Sequence, residues 1–155
     1  MMNTMNNGEL NPEMRSSEAG WTFIEIIIVV FIFFILTGAV GFAGIRYVRK
    51  ARQASTANEI AAFSLALDSY YLDCGMYPSE EQGLEALWAA PVISPVPSGW
   101  SGPYLTRKGI EDSWGRDYVY KTPGPEGLPY SITSYGADGL EGGEDLNADI
   151  HSWKD

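Results

Sequence analysis

Five carboxylates fall within twelve residues near the C-terminus: Asp138, Glu141, Glu144, Asp145 and Asp149, with no basic residue among them. Gly136, Gly139, Gly142 and Gly143 interrupt the stretch. Glycine lets the backbone fold back so that several oxygens can converge on one point. Carboxylates and backbone carbonyls without a soft ligand suit a hard cation. Ca²⁺ takes about 6–8 such oxygens in irregular geometry, whereas Mg²⁺ keeps more water. The spacing is not that of an EF-hand. From the residues alone, the segment reads either as a hard-cation loop or as a solvated acidic loop. Other chemistries are disfavoured at once. There is one histidine, His151, and one cysteine, Cys74, so His-rich zinc sites, multi-Cys sites and intramolecular disulfides fall away. No acid/base pair stands in a catalytic context, so no catalytic residue and no enzyme activity are assigned.

A second chemical residue is Glu25. It stands at the head of an uncharged, apolar run over residues 26–45, which is followed by Arg46, Arg49, Lys50 and Arg52. Twenty residues of helix span roughly 30 Å, the thickness of a bilayer's hydrocarbon core. A single segment in lipid must satisfy its own backbone, which favours helix despite the Ile, Val and Phe content. The run is too long for a cleaved secretory signal and continues as a helical pattern, so it reads as a retained anchor. Glu25 then either marks the membrane boundary or is kept near lipid for a partner, because ionisable groups there are costly when unpaired.

These groups need elements to position them. The chain has 155 residues, room for one compact domain beyond the apolar segment. Ile60, Phe63, Leu67, Tyr70 and Tyr71 recur at helical spacing, so the helix is expected to continue to about Leu72 and to break at Cys74-Gly75. Pro78-Ser79-Glu80-Glu81 predicts a helix start with Ser79 as cap, running to about Trp88 and burying Leu84 and Leu87. Pro91, Pro95 and Pro97 enforce an extended loop. Residues 118–120 and 130–134 alternate like strands around a Pro/Gly turn at 122–127, which predicts a hairpin. The formal charge of −10 makes the chain a poor nucleic-acid binder.

Gly20-Trp21-Thr22-Phe23-Ile24-Glu25, followed by the apolar run, resembles the processing site of type IV pilin-like proteins. The resemblance implies a leader over residues 1–20, cleaved between Gly20 and Trp21 by a prepilin peptidase, with Trp21 becoming N-methylated. It also implies that Glu25 acts in assembly by pairing with a neighbouring subunit's N-terminal amine. The leader is more acidic than the class norm, Trp21 replaces the usual Phe or Met, and the proline common in this helix is absent; Gly38, Gly41 and Gly44 occupy that region.

The remainder is similar to the major pseudopilin family of type II secretion systems. Tyr77-Pro78 with residues 81–87 (EQGLEAL), residues 100–105 (WSGPYL), 112–118 (DSWGRDY), 134–139 (SYGADG), and Gly142-Gly143 through residues 147–150 (NADI) to Trp153 carry the likeness in order. It implies an α+β fold: a long N-terminal helix, membrane-embedded in its first half (21–52), packed on a periplasmic head (53–155). The head would hold a short helix, an antiparallel hairpin and a calcium-binding C-terminal loop. The implied calcium ligands are Asp138 and Asp145, with carbonyls of Tyr135, Leu140 and Gly143, and with Asp149, Asn147 and Glu144 as further donors. The implied function is structural. The subunit would polymerise with itself into a periplasmic fibre that drives folded proteins through an outer-membrane secretin. Its partners would be minor pseudopilins, the inner-membrane assembly platform with its ATPase, and inner-membrane lipid. Counting Lys and Arg near the span favours its C-terminal side as cytoplasmic, whereas the family places that side outside. An ion pair of the Arg107/Lys108 basics with Asp68 or Asp73 of the next subunit, Asp68–Arg107 foremost, is a further expectation, against simple solvation of Arg107 and Lys108. The alternatives are a type IV pilin or competence-type pseudopilin, and a monomeric membrane-anchored calcium-binding module.

Overall fold

The computed structural model describes residues 21–153, except the side chains of residues 39–43. The chain divides into two units, Met1–Val40 and Gly41–Asp155. Helix α1 (Phe23–Cys74) is the dominant element. No proline interrupts it. Its start is a capping box: the Glu25 amide donates to Thr22 Oγ1 at 3.3 Å, and the Thr22 amide donates to Glu25 Oε2 at 3.5 Å. Its end follows from Gly75, whose φ of 70° stops the helix. The Gly75 amide donates to the Tyr71 carbonyl at 2.8 Å, so one of the orphan carbonyls is satisfied.

In the first unit the described apolar side chains of α1 are all exposed, from 44% at Val29 to 80% at Phe23. In the second unit the face Thr56, Ile60, Phe63, Leu67 and Tyr70 is buried. Tyr71 departs from the expected stripe. It is 45% exposed because one residue turns it about 100° away from Tyr70, and it stacks on Tyr77 at 4.8 Å between ring centroids.

The helix expected from Ser79 to Trp88 does not form as one α-helix. Ser79 does cap, accepting from the Gln82 amide at 3.3 Å. Gly83 then adopts φ 59°, ψ −166°, which no α-helix can hold, and only a 3₁₀ turn (Leu84–Leu87) follows. Leu84 and Leu87 are buried as expected.

The sheet is three-stranded and antiparallel, in the order β1 (Val119–Lys121), β2 (Ser131–Ser134), β3 (Ile150–His151). Val119 pairs with Thr133, and Ser134 with Ile150. The hairpin matches expectation; β3 was not anticipated. All four residues of β2 are buried. Ser152 completes the strand: its hydroxyl accepts from the Ile132 amide and its amide donates to the Ile132 carbonyl. The core joins Ile60, Phe63, Leu67 and Tyr70 of α1 to Leu84, Leu87, Tyr118 and Ile132. Phe63 meets Tyr118 edge-on at 5.2 Å. Truncating the fully buried Leu67 to alanine would cost about 2–5 kcal/mol in such packing. This core anchors the sheet, and the sheet carries the acidic loop between β2 and β3.

Candidate functional site

The acidic loop leaves β2 at Ser134 and returns at Ile150. Two of its glycines permit a close approach of its arms. A Cβ on Gly136 would lie 2.7 Å from the Ala148 carbonyl oxygen, and one on Gly143 would lie 2.6 Å from that of Asn147. Both have positive φ, 59° and 91°. The loop therefore folds back as the glycine spacing implied. A 3₁₀ turn at Asp145–Asn147 shapes the return arm, and Asp145 itself has φ 54°. Gln53 of α1 donates to the Asp145 carbonyl at 2.9 Å, tying the turn to the helix.

The expected ligands fall as follows. Asp138 is exposed and accepts from the Leu140 amide at 3.1 Å. The Tyr135 carbonyl accepts from the Gly139 amide at 3.0 Å. Asp149 accepts from the Gly142 amide on Oδ2 at 2.8 Å, while its Oδ1 is buried without a hydrogen-bond partner. The Glu144 carbonyl accepts from the Asn147 amide at 3.0 Å. Leu140 and Gly143 are exposed. Among the described residues no three His, Cys, Asp or Glu side chains converge as a metal cluster. The donors are oxygens only, and one buried carboxylate oxygen lacks a partner. That chemistry fits a hard cation held by a mixture of carboxylates and carbonyls.

Two buried or clamped groups support the loop and escaped the sequence reading. Asp112 is 6% exposed. Its Oδ1 accepts from the Trp114 and Arg116 amides at 2.9 and 3.0 Å, and its Oδ2 accepts from the Ser134 hydroxyl at 2.6 Å. Arg116 donates from Nη2 to the Gly136 carbonyl. The Asp-x-x-Gly turn at 112–115 was the available signal for Asp112. Nothing in the sequence pointed Arg116 toward residue 136.

The assembly residues lie elsewhere. Gly20 and the rest of the leader are outside the described residues. Trp21 is 69% exposed. Glu25 is engaged locally in the capping box with Thr22, an arrangement compatible with both of its readings. Asp68 accepts from the Tyr77 hydroxyl at 3.2 Å. Burial first, then the Asp68 charge, push Tyr77 up to about 12. Arg107 and Lys108 line an open groove with Ser55, Asn58 and Glu59 of α1. Among the described residues no helix is long and apolar enough to cross a membrane. Trp100 and Trp114 are both half-buried; Trp100 packs on the core and donates to the Ala86 carbonyl at 2.9 Å. Asp73 fixes the loop after residue 99: the Ser101 and Tyr104 hydroxyls both donate to its Oδ2 and hold its carboxyl below the usual range.

Comparison with known proteins gives a consistent result. The family described as "Type II secretion system (T2SS), protein G" matches residues 44–153. The chain is 41% identical over 139 residues to the type II secretion system core protein G of Pseudomonas aeruginosa, covering 90% of this chain and 97% of that one. It is 40% identical over 137 residues to the core protein G of Vibrio cholerae, covering 88% and 92%. Its fold is similar to the crystal structure of the major pseudopilin from the type 2 secretion system of enterohaemorrhagic Escherichia coli. The TM-score is 0.59 at 34% identity, over 70% of this chain and 92% of that one.

Proposed function

The chain belongs to the type II secretion system protein G family, a family of structural pseudopilins rather than enzymes, and from that premise we propose that it is the major subunit of a periplasmic pseudopilus. The observation that carries the reading is the unpartnered apolar surface of α1. Phe23, Ile24 and every large apolar residue from Ile26 to Leu36 are exposed in the single chain, on all sides of the helix. A helix apolar all round must be buried in lipid or among other helices. A subunit that waits in the inner membrane and then packs helix against helix in a fibre does both in turn.

The remaining roles follow from this reading. A prepilin peptidase cuts between Gly20 and Trp21, and the new N-terminus is methylated. That leaves an ammonium four residues before Glu25, whose carboxylate pairs with the ammonium of a neighbour where water is scarce. The head lies in the periplasm. Arg107 meets Asp68 of the next subunit and sets the register. Minor pseudopilins, the assembly platform with its ATPase, and the outer-membrane secretin complete the machine that moves folded proteins outward. Asp138, Asp145 and Asp149, with carbonyls of Tyr135, Leu140 and Gly143 and oxygens of Asn147 and Glu144, hold a calcium ion. The ion offsets carboxylate repulsion and pins the loop. The unpartnered Oδ1 of Asp149 supports this role.

Mass spectrometry of the membrane-extracted protein tests the central claim. An N-methylated Trp21 terminus is the expected result. An intact Met1 terminus would remove the subunit reading and favour a monomeric anchored module.

A further inference from the structure

We propose that Arg116 is a built-in cationic latch on the acidic loop, which keeps the loop folded without metal and weakens its hold on calcium. The second half of this claim rests on the calcium reading above; the first half does not.

The backbone of Arg116 is clamped before its side chain begins. Asp112 Oδ1 accepts from the Arg116 amide, and the Arg116 carbonyl accepts from the Asp112 amide at 2.7 Å. Gly115, at φ 78°, closes the turn between them. The side chain then crosses to the loop. Nη2 donates to the Gly136 carbonyl. A Cβ built on Gly139 would lie 3.0 Å from Cζ, Nε and Nη1 alike. Three equal distances put that Cβ position over the face of the guanidinium, so the planar group fills the space a side chain at 139 would take. Any larger residue at 139 would push the guanidinium away.

The charge arithmetic gives this contact a purpose. Residues 138–149 carry five acids and no base. Lys121 shares a groove with Glu141 and Asp149 at the far side of the loop, but it makes no hydrogen bond to the loop among the described residues. Arg116 is hydrogen-bonded and stacked at the Gly136–Gly139 end. The guanidinium touches the loop through its backbone, at the Gly136 carbonyl and beside Gly139, and brings a positive charge to a segment that carries none of its own. It is itself incompletely satisfied, since its Nε is buried without an acceptor. The loop thus has one unmet donor beside Gly139 and one unmet acceptor at Asp149 Oδ1. Arg116 supplies order at one end, and like-charge repulsion makes a second cation in the same loop less favourable. Arginine suits the task better than lysine because a planar group can turn its face to the side-chain position of Gly139 while donating in its own plane to the Gly136 carbonyl.

The test uses the full chain in detergent, with hydrogen–deuterium exchange in EGTA and a separate CaCl₂ titration by calorimetry. The variants are Arg116→Gln, Arg116→Lys and, as a charge-only control, Lys121→Gln. In EGTA, residues 136–149 of Arg116→Gln should exchange roughly tenfold faster than wild type, with α1 amides near Leu67 unchanged. Lys121→Gln should leave loop exchange near wild type. Arg116→Gln should bind Ca²⁺ roughly threefold to tenfold more tightly, and bound Ca²⁺ should restore loop protection. Unchanged loop exchange in EGTA would overturn the latch. Equal calcium affinity would overturn its coupling to metal. If neither chain takes up Ca²⁺, the calcium reading and the coupling fall together, and loop exchange in EGTA still decides the latch. Should Arg116→Gln lose α1 protection, Arg116→Lys decides: faster loop exchange over an intact helix supports the latch, and wild-type exchange overturns it.

Discussion

Replacing Asp112 by alanine tests whether one buried carboxylate holds the head's loops together. Asp112 accepts three hydrogen bonds, from the Trp114 and Arg116 amides and from the Ser134 hydroxyl. Ser134 is only 1% exposed, so its hydroxyl can recover little from water. A buried donor left without a partner costs about 1–3 kcal/mol. The two turn amides are part-buried and regain some hydration, about half of that each. Removing the charge also relieves its desolvation, which keeps the total toward the lower end. These terms sum to about 2–6 kcal/mol, and the lower half of that range, about 2–4 kcal/mol, is the expected loss. At ~4 °C per kcal/mol for a unit of this size, Asp112→Ala should melt roughly 8–16 °C below wild type. Asp112→Asn is the discriminating partner. Its amide oxygen can still serve the two backbone donors, but its NH₂ faces a hydroxyl that needs an acceptor. It should lose about half as much. Ser134 Oγ in turn accepts from the Gly136 amide at 3.2 Å, so both variants should loosen the start of the acidic loop. Differential scanning calorimetry of the detergent-solubilised chain reads all of this. A loss below about 1 kcal/mol in Asp112→Ala, or equal losses in the two variants, would refute the reasoning.

Four further outcomes follow from the same structure. EGTA should lower the melting temperature by roughly 10 °C if calcium stands near a hundred times its Kd, since that occupancy contributes about 2.7 kcal/mol; Asp138→Ala should do the same without chelator, and an unchanged curve in EGTA would sink the calcium assignment. Tyr70 and Tyr77 are pushed up from 10.0 to about 12, chiefly by burial; the stability they contribute is intact below pH 10 and is lost as pH climbs toward 12, so ultraviolet titration should show late, unfolding-linked tyrosines rather than one step near 10. Asp73 is held below its ordinary 3.8, first by the Ser101 hydroxyl and then by that of Tyr104; its contribution is present above that ordinary value and fades as pH falls through the lower folded one, so Asp73→Asn should flatten the acid limb of the stability curve, and an unaltered limb would count against it. Charge reversal of Arg107 should reduce crosslinked multimers, with rescue by reversal of Asp68; absence of rescue would remove that pair from the fibre model.

What the sequence made legible divides by the range of the interactions. The buried stripe from Ile60 to Tyr70 is a local pattern, and α1 follows it to within two residues of the expected end. The hairpin is also local, because its turn chemistry and its two strands lie close together in the chain. The failures involve single residues that override a pattern or partners far apart. Ser79 and two acids announce a helix, but Gly83 at φ 59° cuts it to a 3₁₀ turn. β3 is two residues long, too short for alternation to register, and exists because Ser134 and Thr133 offer a free edge to Ile150 and His151.

The acidic loop shows the same division within one site. Its chemical class is written in residue types, and its fold-back is written in four glycines. Its electrostatics are not, because the cation that lies on Gly139 comes from Arg116, more than twenty residues earlier. Counting charge inside the segment gives five acids and no base, which makes a metal look obligatory. Counting in space adds a guanidinium at one end and leaves an unmet carboxylate oxygen at the other. On the calcium reading proposed above, the latch predicts that loop exchange in EGTA is raised in a graded way rather than all-or-none.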